Sequence, residues 1–66
     1  MRSAVIVGRE SWAEIQEAVN GLAVVELYDR EDGDLAPPAV STVRTSFEDG
    51  YEYARNQVEA LDEVMT

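Results

Sequence analysis

Residues 46–65, SFEDGYEYARNQVEALDEVM, carry the clearest periodic pattern in the chain. Apolar side chains recur there at spacings of four, three, four, three and four residues, at Phe47, Tyr51, Ala54, Val58, Leu61 and Met65. This period is typical of an amphipathic helix with one buried stripe. Ser46 stands in front of the pattern as a candidate N-cap, and Glu48 and Asp49 fall at the positive end of the helix dipole. The sequence therefore predicts a C-terminal helix that ends near Met65.

The residues before this helix have the pattern of a β-hairpin. Residues 22–28 (LAVVELY) and 40–45 (VSTVRT) are rich in the β-branched and aromatic side chains that strands favour. Residues 29–34 (DREDGD) form a polar turn between them, and Asp32-Gly33 is a favoured type I′ pair. Pro37 and Pro38 cannot donate to a strand ladder, so we expect them at an edge or bulge.

The N-terminal third predicts one strand and one short helix. Residues 3–7 (SAVIV) form an apolar run that ends at Gly8, as expected for a buried strand. Ser11 and Glu14 have the spacing of a capping box, in which Ser11 caps the helix and Glu14 bonds back to it. Asn20-Gly21 supplies a stop. The helix predicted over 11–20 would bury the apolar side chains at helical spacing, Trp12, Ile15, Ala18, Val19 and Leu22.

Together these elements predict a single α+β domain over residues 1–66 with the order β-α-β-β-α. The simplest packing is two-layered, with a three-stranded sheet and both helices on one face. The first two strands, if neighbours, should run parallel through a right-handed crossover, and the second and third should form an antiparallel hairpin. The expected core consists of Trp12, Val25, Leu27, Phe47, Val58 and Leu61.

The composition restricts the classes of function. Fourteen acidic residues face five basic ones, for a formal net charge of −9; every base is arginine, and lysine, histidine and cysteine are absent. Direct nucleic-acid binding and attachment to an anionic membrane both need a basic surface, so neither is expected. No run approaches the ~20 apolar residues of a membrane span, and the N-terminal apolar run is too short for a signal peptide. We expect a cytoplasmic protein, in agreement with the lack of cysteine.

Three interpretations of the acidity remain open. The first is an ordinary solvated surface that keeps the protein in solution. The second is adaptation to a high-salt cytoplasm, where self-repulsion is screened because the Debye length falls to ~3 Å at 1 M salt. The composition, with arginine kept and lysine lost, resembles that of proteins from halophilic archaea, although a GC-rich genome would give the same bias. The third is mimicry of a nucleic-acid backbone that occupies a basic site on another protein.

The sequence offers little to catalysis, cofactors or metals. Serine nucleophiles need a base, and no histidine or lysine is present to activate one. With Gly33 at the glycine position of an EF-hand loop, the first, third and last ligand positions fall on Tyr28, Arg30 and Ala39, so the calcium pattern fails. Gly8-Arg9 lies where a helix N-terminus could bind an anion, but the glycine spacing of a phosphate loop is missing. We therefore predict a protein without enzymatic activity, cofactor or metal. The alternatives left open are weak cation binding by the acids of residues 29–34 and an enzyme whose acids converge in a pocket around a hard cation such as Mg²⁺.

The remaining hypothesis is an interaction module that binds a protein partner or a second copy of itself through the C-terminal helix. The apolar repeat is longer than a small sheet can cover, and Tyr51 and Tyr53 point about 200° apart, so one of them must be exposed. The candidate interface is Tyr51, Tyr53, Val58, Leu61, Val64 and Met65. A candidate acidic surface is Asp29, Glu31, Asp32 and Asp34. Arg44 and Arg55 are candidate internal ion-pair partners. The alternative hypothesis is an acidic inhibitor, of phage or mobile-element type, that mimics nucleic acid.

Residues 45–51, Thr-Ser-Phe-Glu-Asp-Gly-Tyr, together with Ala54, Ala60 and Leu61, resemble the strand-to-helix corner of HicB-type antitoxins. The resemblance covers only a small part of the chain. The helix predicted between the first two strands differs from the opening β-meander of that family, and no function is carried over from it.

Overall fold

The computed structural model describes residues 1–33 and 36–64, and of Asp32 only the backbone. Four strands form one antiparallel sheet in the order β1-β2-β3-β4, and one helix, α1, follows them. The bounds are β1 Ser3–Val7, β2 Ser11–Glu17, β3 Ala23–Asp29, β4 Val40–Arg44 and α1 Phe47–Val64. The α+β class is confirmed. The prediction of three strands and two helices is wrong, because one predicted helix is a strand.

The segment from Ser11 to Glu17 is β2, the strand between β1 and β3, and not the N-terminal part of a helix over 11–20. Its side chains alternate with a period of two: Ser11, Ala13 and Ile15 are buried, while the residues between them face the other side. A helix of about ten residues is marginal by itself. The segment gains more by pairing with a strand on each side, which gives its backbone hydrogen bonds and its alternate side chains a core.

Tight turns join the first three strands, so the predicted parallel pairing and crossover are absent. Gly8 begins the first turn, where its N–H donates to the Ser11 carbonyl at 2.8 Å. Asn20-Gly21 forms the second turn instead of ending a helix. Gly21 has a φ of 86°, which glycine adopts without strain, and the Asn20 side chain accepts a hydrogen bond from the Leu22 N–H.

The predicted hairpin between the last two strands is confirmed as β3 and β4, which pair Val25 with Thr42. Its connection is not a type I′ turn. Arg30–Asp32 form a single turn of 3-10 helix, which Asp29 caps by accepting a hydrogen bond from the Glu31 N–H. Gly33 ends this turn with φ 84° and ψ 173°, an extended mirror-image conformation rather than the left-handed helical one.

Helix α1 is confirmed, but its buried stripe differs from the predicted one. The residues that α1 buries against the sheet are Gly50, Ala54 and Val58, at a constant spacing of four. A Cβ atom on Gly50 would lie 3.0 Å from the Ala23 Cβ and 3.3 Å from the Ile15 Cγ2. The small side chains therefore allow the helix axis to approach β2 and β3 closely.

The core lies between α1 and one face of the sheet. Its buried apolar members are Ala13, Ile15, Ala23, Val25, Leu27, Ala54 and Val58. The predicted core residues Val25, Leu27 and Val58 are confirmed, whereas Phe47 is half-buried and Leu61 is 42 % exposed. Trp12 lies on the opposite face of the sheet. No helix in the described part of the chain is long and apolar enough to cross a membrane.

Candidate interaction surfaces

The face of the sheet opposite α1, called the open face from here on, has no second layer over it in the described chain. The strand pairing orders its side chains in three rows across the sheet. The row nearest the first turn is Val7, Trp12 and Tyr28; the middle row is Val5, Glu14, Glu26 and Ser41; the last row is Ser3, Gln16, Val24 and Val43. Three of the valines are well exposed, at 57 % for Val5, 67 % for Val7 and 59 % for Val43.

Trp12 and Tyr28 stack on one another at the end of the open face. Their ring centroids are 4.1 Å apart and their planes differ by 9°. The pairing of β2 with β3 places the two residues directly opposite each other, which is the closest cross-strand relation. Burial raises the pKa of Tyr28, and the carboxylates of Glu26 and Glu14 raise it further. The phenol thus stays neutral and lies within the field of both acids.

Glu14 and Glu26 form a second directly opposed pair, in the row next to the aromatic stack. Like charges in this position destabilise a sheet. Gln16 donates a hydrogen bond to the Glu14 carboxylate at 2.9 Å. Within the described residues neither acid forms an ion pair with an arginine. The middle of the open face is therefore negative between apolar and aromatic neighbours.

A separate groove of about 330 Å³ lies on the covered face, where the second half of α1 leaves β3 and β4 uncovered. Leu27, Val40 and Leu61 supply apolar surface, and Glu10, Asp29 and Glu31 are among its polar lining. Ser11 also lines it, and its hydroxyl is buried without a hydrogen-bond partner among the residues that the structure describes. That position is a strand residue and not the helix cap that we expected.

The predicted helical interface does not form one continuous surface. Val58 is 2 % exposed and belongs to the core. Tyr53 is half-buried, and the Arg44 guanidinium lies 4.6 Å from its ring centroid. Tyr51, Leu61 and Val64 are exposed, but Tyr51 lies beside Phe47 and Arg2 whereas Leu61 lies at the groove. Met65 lies outside the described residues.

The predicted acidic surface is only partly described. Asp29 and Glu31 are exposed and adjoin the groove. Asp34 lies outside the described residues, as does the side chain of Asp32. In the part of the chain that the structure describes, no three acidic side chains are arranged to hold a metal ion.

Arginine side chains attach the N-terminal end of α1 to the sheet. Arg2 bridges Glu17 at 3.0 Å and Glu48 at 2.6 Å, and Arg44 pairs with Asp49 at 2.9 Å. The hydrogen bonds from Arg2 lower the pKa of Glu17 and Glu48, and the hydrogen bond from Arg44 lowers the pKa of Asp49.

The C-terminal half of α1 is attached to the first turn through Asp62. Its carboxylate accepts hydrogen bonds from the backbone N–H groups of Glu10 and Arg9, both at 3.1 Å to Oδ1. These donors lower the pKa of Asp62. The contact requires glycine at position 8, because a Cβ there would lie 2.5 Å from the Val58 Cγ1 and 2.9 Å from the Asp62 Oδ2.

Sequence reasoning missed the open face because it assigned Trp12 to a buried helical stripe. The signal was present in the alternation of Trp12, Glu14 and Gln16 with Ser11, Ala13 and Ile15. The same alternation in Val24, Glu26 and Tyr28 continues the surface onto β3.

Comparisons of the chain with models of protein families, with curated proteins and with solved structures found no match. The structure replaces the predicted first helix with a strand, and so removes the difference from the opening β-meander of the HicB-type antitoxins. In the absence of a matching family model, the resemblance stays limited to the strand-to-helix corner at residues 45–51. The function is therefore argued from the surfaces alone.

Proposed function

We propose that this protein is a non-enzymatic interaction module that binds a protein partner through the open face of its sheet. The observation that carries the proposal is the placement of the largest side chains. Trp12, Tyr28 and the exposed valines lie on the face that no element of the described chain covers, while the side chains that the described strands bury under the helix are all aliphatic or small. Apolar and aromatic side chains that share one uncovered face with a few charged groups are typical of a protein–protein interface.

The residue types also support a non-enzymatic role. No histidine, lysine or cysteine is present, and the Ser46 hydroxyl is occupied as the cap of α1, where it accepts a hydrogen bond from the Asp49 N–H at 3.1 Å. Catalytic acids or bases normally lie in a pocket that perturbs their pKa. The carboxyl groups with lowered pKa, such as Asp62 and Asp49, instead hold α1 to the sheet and its turns.

The test is site-specific photo-crosslinking in cells of the source organism. A photoreactive side chain at Val43 or Val7 should form a discrete adduct with one protein, and the same side chain at Asn56, on the outer surface of α1, should not. The captured protein is then purified, and its affinity is measured for the unmodified chain, for Val43→Glu and for Asn56→Glu. We expect Val43→Glu to reduce the affinity at least about tenfold, because it buries an unpaired charge.

Two results would contradict the proposal: equal crosslinking from Asn56, or unchanged affinity in Val43→Glu with its circular dichroism intact. Sedimentation at high concentration in molar salt tests the version in which the partner is a second copy. A single species with the mass of one 7.3 kDa chain would eliminate that version.

A second candidate function is the acidic inhibitor that mimics nucleic acid. The observation in its favour is a row of exposed glutamates along the outer surface of α1, at Glu48, Glu52, Glu59 and Glu63. Helical spacing places them within about a 60° sector. Arg55 projects close to this sector, and Glu48 is already paired with Arg2. The interruption of the row by positive charge makes it the weaker candidate.

If the mimic hypothesis is correct, this protein competes with DNA for a basic protein, and the double variant Glu52→Gln/Glu59→Gln should abolish that competition. The double variant Glu14→Gln/Glu26→Gln removes the same charge from the open face and is the matched control. Equal competition by the two variants would exclude a specific mimic on the helix.

We also propose that part of the acidity is adaptation to high salt. Surface self-repulsion is screened within a few ångströms at molar ionic strength, and a net charge of −9 on a chain of this size makes that repulsion substantial. The melting temperature should rise markedly between 0.1 and 3 M KCl. Little or no change would remove this interpretation and favour a functional origin of the charge.

A further inference from the structure

The middle row of the open face contains a feature that an interface of apolar side chains alone does not require. Glu14 and Glu26 lie directly opposite each other in the two central strands. Val5 lies beside Glu14 in the middle row. Trp12 and Tyr28 lie beside the two glutamates in the next row. Two adjacent carboxylates here lower the stability of the free sheet.

The arginines of the described chain do not compensate for this charge. Arg2 pairs with Glu17 of β2 and Glu48 of α1, and Arg44 pairs with Asp49, while Arg30 donates to the Gly8 carbonyl at 2.8 Å. Arg9 and Arg55 take no part in an ion pair with Glu14 or Glu26. Within the described residues, no arginine neutralises the pair, and a cation that does so would come from another molecule.

We propose that the Glu14–Glu26 pair receives an arginine side chain of the partner, held against the Trp12–Tyr28 stack. The inference rests on the proposed function and specifies the partner as a protein with a basic docking surface. Guanidinium fits the site by charge and by shape, because it is planar, donates to two carboxylates at once and packs its plane against aromatic rings.

A second copy of this chain does not fit the same site. Face-to-face packing of two open faces would bring four glutamates together between two chains of net charge −9 each. Like-charge juxtaposition of this kind opposes association in a protein interface. Charge complementarity thus selects a basic partner over self-association at this surface.

The first experiment uses short peptides as probes and needs no knowledge of the partner. A peptide with two arginines among glycines is titrated into the 15N-labelled protein, and a peptide with citrulline at the same positions serves as the neutral control. The arginine peptide should shift the amide signals of Glu14 and Glu26 and the indole N–H signal of Trp12, the only tryptophan. The citrulline peptide should leave them unchanged.

Matched double variants distinguish a specific site from general attraction to an acidic protein. Glu14→Gln/Glu26→Gln should weaken arginine-peptide binding about tenfold or more, since charge-assisted hydrogen bonds are lost. Glu52→Gln/Glu59→Gln removes the same charge from the outer surface of α1 and should have little effect. Equal weakening by both variants, or shifts that map to α1, would overturn the proposal.

The melting temperature gives an independent readout. Removal of one charge from the opposed pair, as in Glu26→Gln, should raise the melting temperature of the free protein by about 2–4 °C while it weakens peptide binding. A lower melting temperature would show that the pair stabilises the free fold, and would overturn the argument that it awaits an external cation.

The outcomes also separate this inference from the proposed function. If Val43→Glu abolishes binding of the crosslinked partner but Glu14→Gln/Glu26→Gln leaves its affinity unchanged, the open face remains the docking surface and the arginine site is wrong. If neither variant changes the affinity, both proposals fail.

Discussion

The two faces of the sheet differ in the kind of apolar side chain that the described strands place on them. On the covered face, Ala13, Ala23 and Ile15 pack against Gly50 and Ala54 of the helix. The open face presents a stacked tryptophan and tyrosine beside exposed valines. The helix therefore packs closely on an aliphatic sheet face, and the two aromatic side chains of the described strands lie on the other face.

This difference predicts unequal effects of the same deletion on the two faces. Ile15→Ala removes a side chain with no exposed surface and should destabilise the protein by about 2–5 kcal/mol, through lost burial and the resulting cavity. So small a domain has little stability to lose, so the variant should be largely unfolded. Val7→Ala on the open face should change the free energy of unfolding by about 0.5 kcal/mol or less.

Urea denaturation monitored by circular dichroism checks both variants. A large loss of stability in Val7→Ala would show that the open face is part of the folded core rather than a surface for another molecule.

Gly50→Val tests the close packing on the covered face. The added side chain would meet the Ala23 Cβ and the Val25 Cγ2, at 3.0 and 3.2 Å from its first carbon atom. Overpacking of this kind costs about 1–3 kcal/mol, which exceeds the few tenths that valine gains over glycine in helix propensity. Asn56→Val, on the exposed surface of the same helix, is the matched control. If thermal melts showed Gly50→Val to be more stable than the parent protein, the helix would be able to move away from the sheet at little cost.

The smallest expected effect concerns the pH dependence of the stability that Asp62 contributes by attaching α1 to the first turn. The pKa of Asp62 is lowered in the folded state, so its contribution is complete above the pKa of the unfolded chain and is lost as the pH falls through the folded value. Asp62→Asn should therefore lower stability at pH 7 and flatten the loss of stability below about pH 4. Glu59→Gln is the control on the outer surface of α1. Melting curves from pH 2.5 to 7 with the same slope in Asp62→Asn and the parent protein would contradict this role.

Local signals predicted the parts of the fold that local interactions determine. The cap at Ser46, the helical conformation of α1 and the antiparallel pairing of β3 with β4 are all encoded within a few neighbouring residues, and the structure confirms them. The Ser11–Glu17 segment was mispredicted because Ala13, Glu14 and Gln16 favour a helix in isolation. Its strand conformation depends on partners on both sides, β1 and β3, that a local pattern does not specify.

The candidate surface was harder to predict than the fold. An apolar periodicity ignores glycine, so the predicted stripe correctly included Ala54 and Val58 but left out Gly50 and extended to Tyr51 and Leu61, which are exposed. Once Trp12 was assigned to a helix, its stacking with Tyr28 and the opposition of Glu14 to Glu26 could not be foreseen, because each pairing depends on the register of β2 with β3.

Strand β1 lies at an edge of the sheet, and its sequence SAVIV contains neither charge nor proline. Backbone hydrogen bonds join Arg2 to Glu17 and Gly8 to Ser11. In this register the backbone N–H and C=O groups of Val5 and Val7 point away from β2. Such an edge is a template for fibril growth. Electrostatic repulsion between the strongly negative chains keeps them apart. Near the isoelectric point of 4.1 we expect this repulsion to vanish and β-rich aggregates to form.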